Sequence, residues 1–517
     1  MANHQKQKNI TLEVQSRHDE VDASCFYCTA RFPDFTTFKF MVDLGICQDD
    51  NKSFLNTYDD ISFKDVNCIF VTHNHCDHIG AVPLAHKRGF EGKFYTTTKT
   101  QSFIGIALND SAKIIERDAT LNKTRPLYDI YDVPEALKYL EGHDFEKTFS
   151  VNDNVKVTFL ENGHLLGAAL ILFQFKYKAE TLNVLFTGDY NKENYFFTPR
   201  KIPKWVRKLD NLIIVQESTY GDTISSQIKE TFDEDIEKLI DDKKSILLPC
   251  IAQERFEVVL SHLKELQEDG IITSNVDIVL DGNLSMQYLR KYIKEYGEDF
   301  MPEDVIYANT TLDKTVFINS NRQRIILTTS GMCRFGPVRE YLLNVIDNPN
   351  WAIYFTCYQA TATGRKLLDA KRGSKIEIFS RNLELQASVY HTSEFSSHAK
   401  QDELIEFLKQ FEHVNTVLIN HGDTEVKEIY KEKLRELNIV KEVEVLNRKT
   451  YFILNQYGIV NFRNTKFAME ASKSSPHSSY KKKIEKSLNR RGRGTSRTTF
   501  KVYSQKHFDM NSFARAT

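Results

Sequence analysis

The chain has 517 residues, 41% of them hydrophobic and 27% charged, with a formal net charge of −1. That length exceeds one ordinary domain and predicts two or three, each with apolar content enough for a core. The sequence has no apolar run of about 18 residues, which excludes a membrane-spanning helix. The polar start Met1-Ala2-Asn3-His4-Gln5-Lys6 has no signal-peptide core, so a cytoplasmic protein is expected, or a nuclear one in a eukaryotic host.

The near-neutral total hides an asymmetry. From Lys466 to Thr517 there are 13 Lys and Arg against three acids, a charge of +10 that leaves the other residues at −11. This tail is rich in Lys, Ser and Arg with little apolar periodicity, the composition of a flexible segment. Its Lys481-Lys482-Lys483 and Arg490-Arg491-Gly492-Arg493 runs suit RNA or an acidic partner.

In chain order, residues 8–45 read as strands that end at Phe38-Lys39-Phe40-Met41-Val42-Asp43. Cys25-Phe26-Tyr27-Cys28 is a lone CxxC in an apolar stretch; without a second pair it reads as buried strand cysteines. Cys68-Ile69-Phe70-Val71 is a further strand. Residues 101–150 carry helical spacing, Val133, Ala136, Leu137 and Leu140 included. Strands return at 155–160, 170–175, 183–186 and 212–215. Between 222 and 376, strand-like runs alternate with helical ones, the pattern of a parallel α/β unit. After Ser396 come a helix, a strand at 416–419 and another helix.

Chemistry concentrates in Thr72-His73-Asn74-His75-Cys76-Asp77-His78, just past the end of a buried strand. The chain has only 15 histidines, so three within six positions is no accident of composition. Imidazole and carboxylate together suit a borderline cation such as zinc. His73 and His75 would serve one metal, and Asp77 and His78 a second. Further strand ends carry His164 between Gly163 and Leu165, Asp189 in Thr187-Gly188-Asp189, and His421 in Asn420-His421-Gly422.

This ordered set resembles the metallo-β-lactamase fold in its β-CASP nucleic-acid-processing branch. The likeness runs from about residue 10 to 460 and is nearest the RNA endonuclease subunit of the cleavage and polyadenylation machinery and its prokaryotic relatives. Besides Asp43, His73–His78, His164 and Asp189, it rests on Glu217, His398 in Phe395-Ser396-Ser397-His398-Ala399, and His421. It implies an α/β architecture: an αββα sandwich from residues 1–221 and 377–465, with a β-CASP cap of 222–376 inserted, and the basic tail 466–517 beyond.

The resemblance also implies two zinc ions. His73, His75 and His164 would hold one, Asp77, His78 and His421 the other, with Asp189 bridging. Asp43 would orient a ligand histidine without binding metal. The two zincs would activate a hydroxide against an RNA phosphodiester, with Asp77 in the catalytic set, His398 as acid for the leaving oxygen and Glu217 as its orienting carboxylate. Arg365, Ser330 and Gly331 are candidates for phosphate contact. The substrate implied is single-stranded RNA, cut internally in RNA processing or decay, with a homodimer or a processing complex as assembly.

His421 favours RNA over DNA, because DNA-processing branches of the family typically carry valine there. The alternatives are a 5′ exoribonuclease of the same family, or a thioester or lactone hydrolase that would need neither the insert nor the Glu217/His398 pair. An iron flavoprotein relative would have glutamate in place of His75. Three segments depart from the family pattern: Tyr358 to Arg365 lacks a glycine, Asp423 stands for a typical glutamate, and Gln253-Glu254-Arg255 stands where a Gly-Arg pair is common.

Overall fold

The computed structural model describes residues 8–19, 21, 23–46, 58–308, 310–359 and 363–465. The basic tail expected from 466, and Ala360 to Ala362 of the departing segment, lie outside the described residues.

Alternating or continuous apolar runs build two mixed sheets that face one another. The first has eight strands in the order Gly458–Asn464, Thr450–Asn455, Thr11–Ser16, Phe26–Arg31, Thr37–Val42, Cys68–Phe70, Lys93–Thr97, Leu140–His143. The second has seven, in the order Glu442–Val445, Val414–Asn420, Leu212–Glu217, Glu180–Phe186, Ala169–Tyr177, Val155–Glu161, Phe149–Asn152. Their inner faces share one aromatic core, in which Phe40 and Phe173 meet across the gap with centroids 4.8 Å apart and ring planes tilted by 36°. Burial of several such rings, each worth about 2–3 kcal/mol of transfer free energy, fixes the sandwich.

Each outer face is covered by helices. Val82–Lys87 and Thr98–Asn122 pack on the first sheet, and Gln401–Lys409 and Thr424–Leu437 on the second. The result is the αββα sandwich that the resemblance implies, with an inserted α/β cap.

The cap is a six-stranded, all-parallel sheet with helices on both faces, as continuous apolar strands require. Its order is Ile306–Tyr307, Val276–Asp281, Gln323–Thr328, Ser245–Pro249, Trp351–Phe355, Ser388–His391. The last strand pairs Ala352 with Ser388 and Phe355 with His391, so this sheet runs past residue 376, where the sequence pattern placed its end. Ser388–His391 is short, half-exposed and polar at both ends, so it carries no periodicity to betray it.

A second correction concerns 101–150. The helix runs only from Thr98 to Asn122, a short one follows at Asp132–Leu137, and Leu140–His143 and Phe149–Asn152 are strands. Leu140 pairs with Phe94 at a sheet edge; neighbouring strands overrode the helical spacing. Cys25 and Cys28 are buried free thiols at the start of the strand Phe26–Arg31.

Strand direction positions the site. Thr37–Val42, Cys68–Phe70 and Lys93–Thr97 are mutually parallel, so Asp43 and the segment from Val71 leave one sheet at the same edge. Glu180–Phe186, Leu212–Glu217 and Val414–Asn420 are also parallel, so Asp189, Glu217 and His421 leave the other sheet together. In open α/β sheets, the crevice beyond the carboxyl ends of parallel strands is where ligands collect.

Candidate metal centre

His73 and His75 lie in the loop after Cys68–Phe70, and Asp77 and His78 on the four-residue helix Cys76–Ile79. His164 sits in the turn between Val155–Glu161 and Ala169–Tyr177. That turn needs Gly163: a Cβ there would come within 2.5 Å of the Glu193 carbonyl. His421 follows Val414–Asn420 in a left-handed conformation, φ 47°.

The side chains converge in two groups that share Asp189. His73, His75, His164 and Asp189 each offer a ligand atom, all within 4.8 Å of one another, and so do Asp77, His78, Asp189 and His421. The two oxygens of Asp189 divide between them. Oδ2 is 3.8 Å from His73 Nε2 and 3.6 Å from His164 Nε2. Oδ1 is 3.2 Å from His78 Nε2 and 3.4 Å from His421 Nε2. Asp77 Oδ2 completes the second group at 3.8 Å from His78 Nε2 and 4.0 Å from His421 Nε2.

The donor set passes a simple test of fit for metal. Nε2 of His73, His78 and His421 and Oδ1 of Asp189 are all buried with no properly aligned hydrogen-bond partner, and His75 turns its Nδ1 to His164 Nε2 at 3.2 Å. Orphaned polar atoms are costly and rare; four aimed into one small volume are what a cation would satisfy. Burial depresses the basicity of His73, of His75 (to about 4) and of His164, so all three are neutral donors at physiological pH. For Asp189 burial works the other way, but His421 and His78 outweigh it and keep the carboxylate ionised.

The ring nitrogens that do not face the centre are held from behind. His78 Nδ1 meets Asp43 Oδ2 at 2.8 Å, and Asp43 is in turn fixed by the Thr72 backbone N–H (2.8 Å) and hydroxyl (2.9 Å). His164 Nδ1 meets the Ser397 carbonyl at 3.0 Å, and His421 Nδ1 the Thr219 hydroxyl at 3.0 Å. Such contacts select the tautomer and the ring orientation. Thr72, Ser397 and Thr219 escaped sequence reading, because hydroxyl and carbonyl contacts leave no motif.

Beside this centre Glu217 and His398 form a pair. Glu217 Oε2 lies 2.9 Å from His398 Nδ1 and also accepts from the Thr219 hydroxyl, while Oε1 accepts from the Tyr190 N–H. His398 Nε2 then faces Asp189 Oδ2 at 3.9 Å. Burial would lower the His398 basicity, but the Glu217 carboxylate reverses that and holds it above the ordinary value. His398 and Asp77 keep side-chain exposures of 20% and 26%, against 6% or less for His73, His78, His164, Asp189 and His421, so the cluster opens to solvent on their side.

The remaining candidates are not gathered here. Arg365 is exposed on the first turn of Thr363–Asp369 and bonds Asp369 at 3.0 Å. The Ser330 hydroxyl donates within its own loop to the Phe335 carbonyl at 3.2 Å. Gly331 is buried, where a Cβ would approach Cys357 Sγ to 2.7 Å.

Sequence comparison gives this geometry a context. Residues 34–196 match the family model of a metallo-β-lactamase superfamily domain, 257–367 that of a Beta-Casp domain, and 382–446 that of a Zn-dependent metallo-hydrolase RNA specificity domain. The chain belongs to the metallo-β-lactamase superfamily, in its β-CASP branch. Among curated β-CASP relatives, it is 28% identical over 434 residues to transcription termination factor FttA of Methanococcus maripaludis, covering 78% of this chain and 65% of that protein. It is 26% identical over 381 residues to ribonuclease TTHA0252 of Thermus thermophilus, covering 70% and 82%. With the probable RNase MJ4 of Methanocaldococcus jannaschii it shares 29% over 384 residues, covering 70% and 83%. The chain thus spans 65% of the length of the FttA relatives it matches. No described helix is long and apolar enough to cross a membrane.

Proposed function

We propose that this chain is a metal-dependent ribonuclease that hydrolyses phosphodiester bonds of single-stranded RNA internally, with two zinc ions in the centre. The observation that carries this reading is the divided Asp189 carboxylate, one oxygen toward each histidine group, with the Glu217–His398 pair alongside. His73, His75 and His164 would hold one ion, and Asp77, His78 and His421 the other. When bound, the metal pair supplies Lewis acidity, polarising the phosphodiester and lowering the pKa of water.

The chain's own groups do the rest. Asp43, Thr72 and the Ser397 carbonyl keep the ligand imidazoles in one tautomer. Glu217 accepts the Nδ1–H of His398 and stabilises its protonated form, leaving Nε2–H free to protonate the leaving oxygen. The names of the relatives, two of them ribonucleases, and the RNA specificity model over 382–446 support RNA as substrate.

The test is incubation of the purified, metal-quantified protein with end-labelled single-stranded RNA and the matching DNA, beside an Asp77→Ala/His78→Ala variant. Internal cuts in RNA that the variant loses establish the endoribonuclease. Mononucleotides released from one end make it an exoribonuclease. Two zincs with neither polymer cut would replace the nuclease by a hydrolase of small thioesters or lactones.

A further inference from the structure

Two consecutive cap residues, Gln253 and Glu254, reach into the loops that carry the first candidate ligand group. They follow the carboxyl end of the strand Ser245–Pro249 and lead into the helix Arg255–Glu268. The side-chain amides of Gln253 and Asn74 pair. Asn74 Nδ2 donates to Gln253 Oε1 at 2.6 Å, and Gln253 Nε2 to Asn74 Oδ1 at 3.2 Å. Asn74 stands between His73 and His75, and both amides are buried. Each amide gives one donor and one acceptor to the pair, so the exchange fixes their planes as well as their separation.

Glu254 holds the His164 turn from both sides. Its Oε2 accepts the Leu166 N–H at 2.9 Å, two residues after His164. Its Oε1 accepts from the Asn194 amide, which also donates at 3.0 Å to the carbonyl of Gly163, the residue before His164. The Tyr292 hydroxyl, on the cap helix Asn283–Tyr296, donates to Oε2 as well and ties the carboxylate back into the cap. The two loops held in this way meet at the centre, where His75 Nδ1 lies 3.2 Å from His164 Nε2.

Glu254 does this from a backbone conformation that suits it poorly. Its φ of 63° and ψ of −49° are open to glycine and strained for a residue with a side chain. Arg255 supplies the arginine of the Gly-Arg pair common in the family, so Glu254 stands where that pattern has glycine. Strain of this kind persists only where the surroundings over-determine it. Here the three donors on the carboxylate do so, and a turn requirement alone would have kept glycine. The second candidate group is held differently: His78 leans on Asp43 and His421 on Thr219, all within the sandwich.

We propose that Gln253 and Glu254 are positioning residues for the first ligand group, a latch by which the cap sets the spacing of His73, His75 and His164 for zinc. The proposal rests on the two-zinc part of the proposed function and is independent of the substrate. Zinc in the first group and docking of the cap then strengthen each other, because both hold the same two loops. Zinc in the second group has no such link to the cap.

The test is stepwise zinc binding to the full, metal-stripped chain in competition with a chromophoric chelator. Gln253→Ala/Glu254→Gly is expected to weaken one of the two zinc sites about tenfold or more and to leave the other nearly unchanged. The loss is expected to persist in a His421→Ala background, which spares the first group, and to vanish in a His164→Ala background, which does not. Glu265→Ala removes another bond between cap and sandwich, from the Tyr195 hydroxyl at 2.6 Å, and is expected to change neither affinity. If the wild type binds two zincs and the double variant binds both as tightly, the latch is overturned. Equal weakening of both sites, with a lower melting temperature of the metal-free chain, overturns it likewise, because the two residues then serve stability alone. A wild type that binds fewer than two zincs sinks the two-zinc reading and the latch with it.

Discussion

His398 makes few contacts and each constrains its chemistry. Nδ1 is committed to Glu217, so only Nε2 is left to face the cleft. His398→Ala should lower kcat on RNA by about 10²–10⁴-fold, the usual worth of a positioned general acid, with little change in KM. Glu217→Gln should lower kcat less and shift the loss of activity at high pH to a lower pH, because His398 then deprotonates sooner. Initial rates across a pH series check both.

Glu254 offers a second residue-scale prediction, one of stability. It is buried and accepts from Leu166 N–H (2.9 Å) and the Asn194 amide, which tie the start of the cap helix Arg255–Glu268 to the sandwich, and from the Tyr292 hydroxyl within the cap. Burial raises its carboxyl to about 7. A carboxyl raised above its unfolded value binds more protons when folded. Its contribution is therefore fully present below the unfolded value, near 4.5, and is lost as pH rises through about 7. Charging it costs up to about 3 kcal/mol. Glu254→Gln should flatten the fall in stability between those values; chemical denaturation of both proteins at pH 5 and 8 measures the difference. Glu257, buried with both oxygens unpartnered and its carboxyl also raised by burial, contributes the same sign in both proteins.

At the scale of elements, the site depends on how closely two loops pass. A Cβ at Gly45 would lie 1.7 Å from the Asp77 carbonyl, so the loop after Thr37–Val42 and the helix Cys76–Ile79 touch backbone to backbone. Gly45→Ala should push Asp77 and His78 outward and lower the amount of bound metal per chain, as elemental analysis would read.

Elements also show what the sequence could and could not disclose. Strands with continuous apolar runs, such as Leu212–Glu217 and Trp351–Phe355, were legible because both their faces are buried. The ordered set of candidate ligands was legible as a group that the fold gathers, because imidazoles and carboxylates at strand ends have few other reasons to recur. Leu140–His143 was missed: all four residues are half-exposed, and register with a neighbour, not composition, makes them a strand. The grips of Thr72 on Asp43 and of Tyr190 N–H on Glu217 were also beyond reach, since both depend on which strand ends align across the sheets. The amide pair of Asn74 and Gln253 was unread for the same reason: the two are far apart in sequence and meet only through packing.

For the whole molecule, the orphaned donors predict that metal and fold are coupled. A ligand that binds only the folded state stabilises it by about 4 kcal/mol when free metal exceeds Kd about a thousandfold. Chelated protein should therefore melt several degrees below the zinc-loaded form in a calorimeter, and the Asp77→Ala/His78→Ala variant should lose most of that difference. Equal melting temperatures with and without zinc would contradict the assignment of the site.

The strand Thr11–Ser16 has Thr450–Asn455 as one of its two neighbours, with Leu12 opposite Leu454. The second candidate ligand group likewise includes His421, which is translated long after His78. On a ribosome, the first sheet waits for its flank, and the centre for its last imidazole, until nearly all of the described chain has emerged. On the ribonuclease reading proposed above, order of synthesis acts as a safety catch: the enzyme stays unarmed while it is being made.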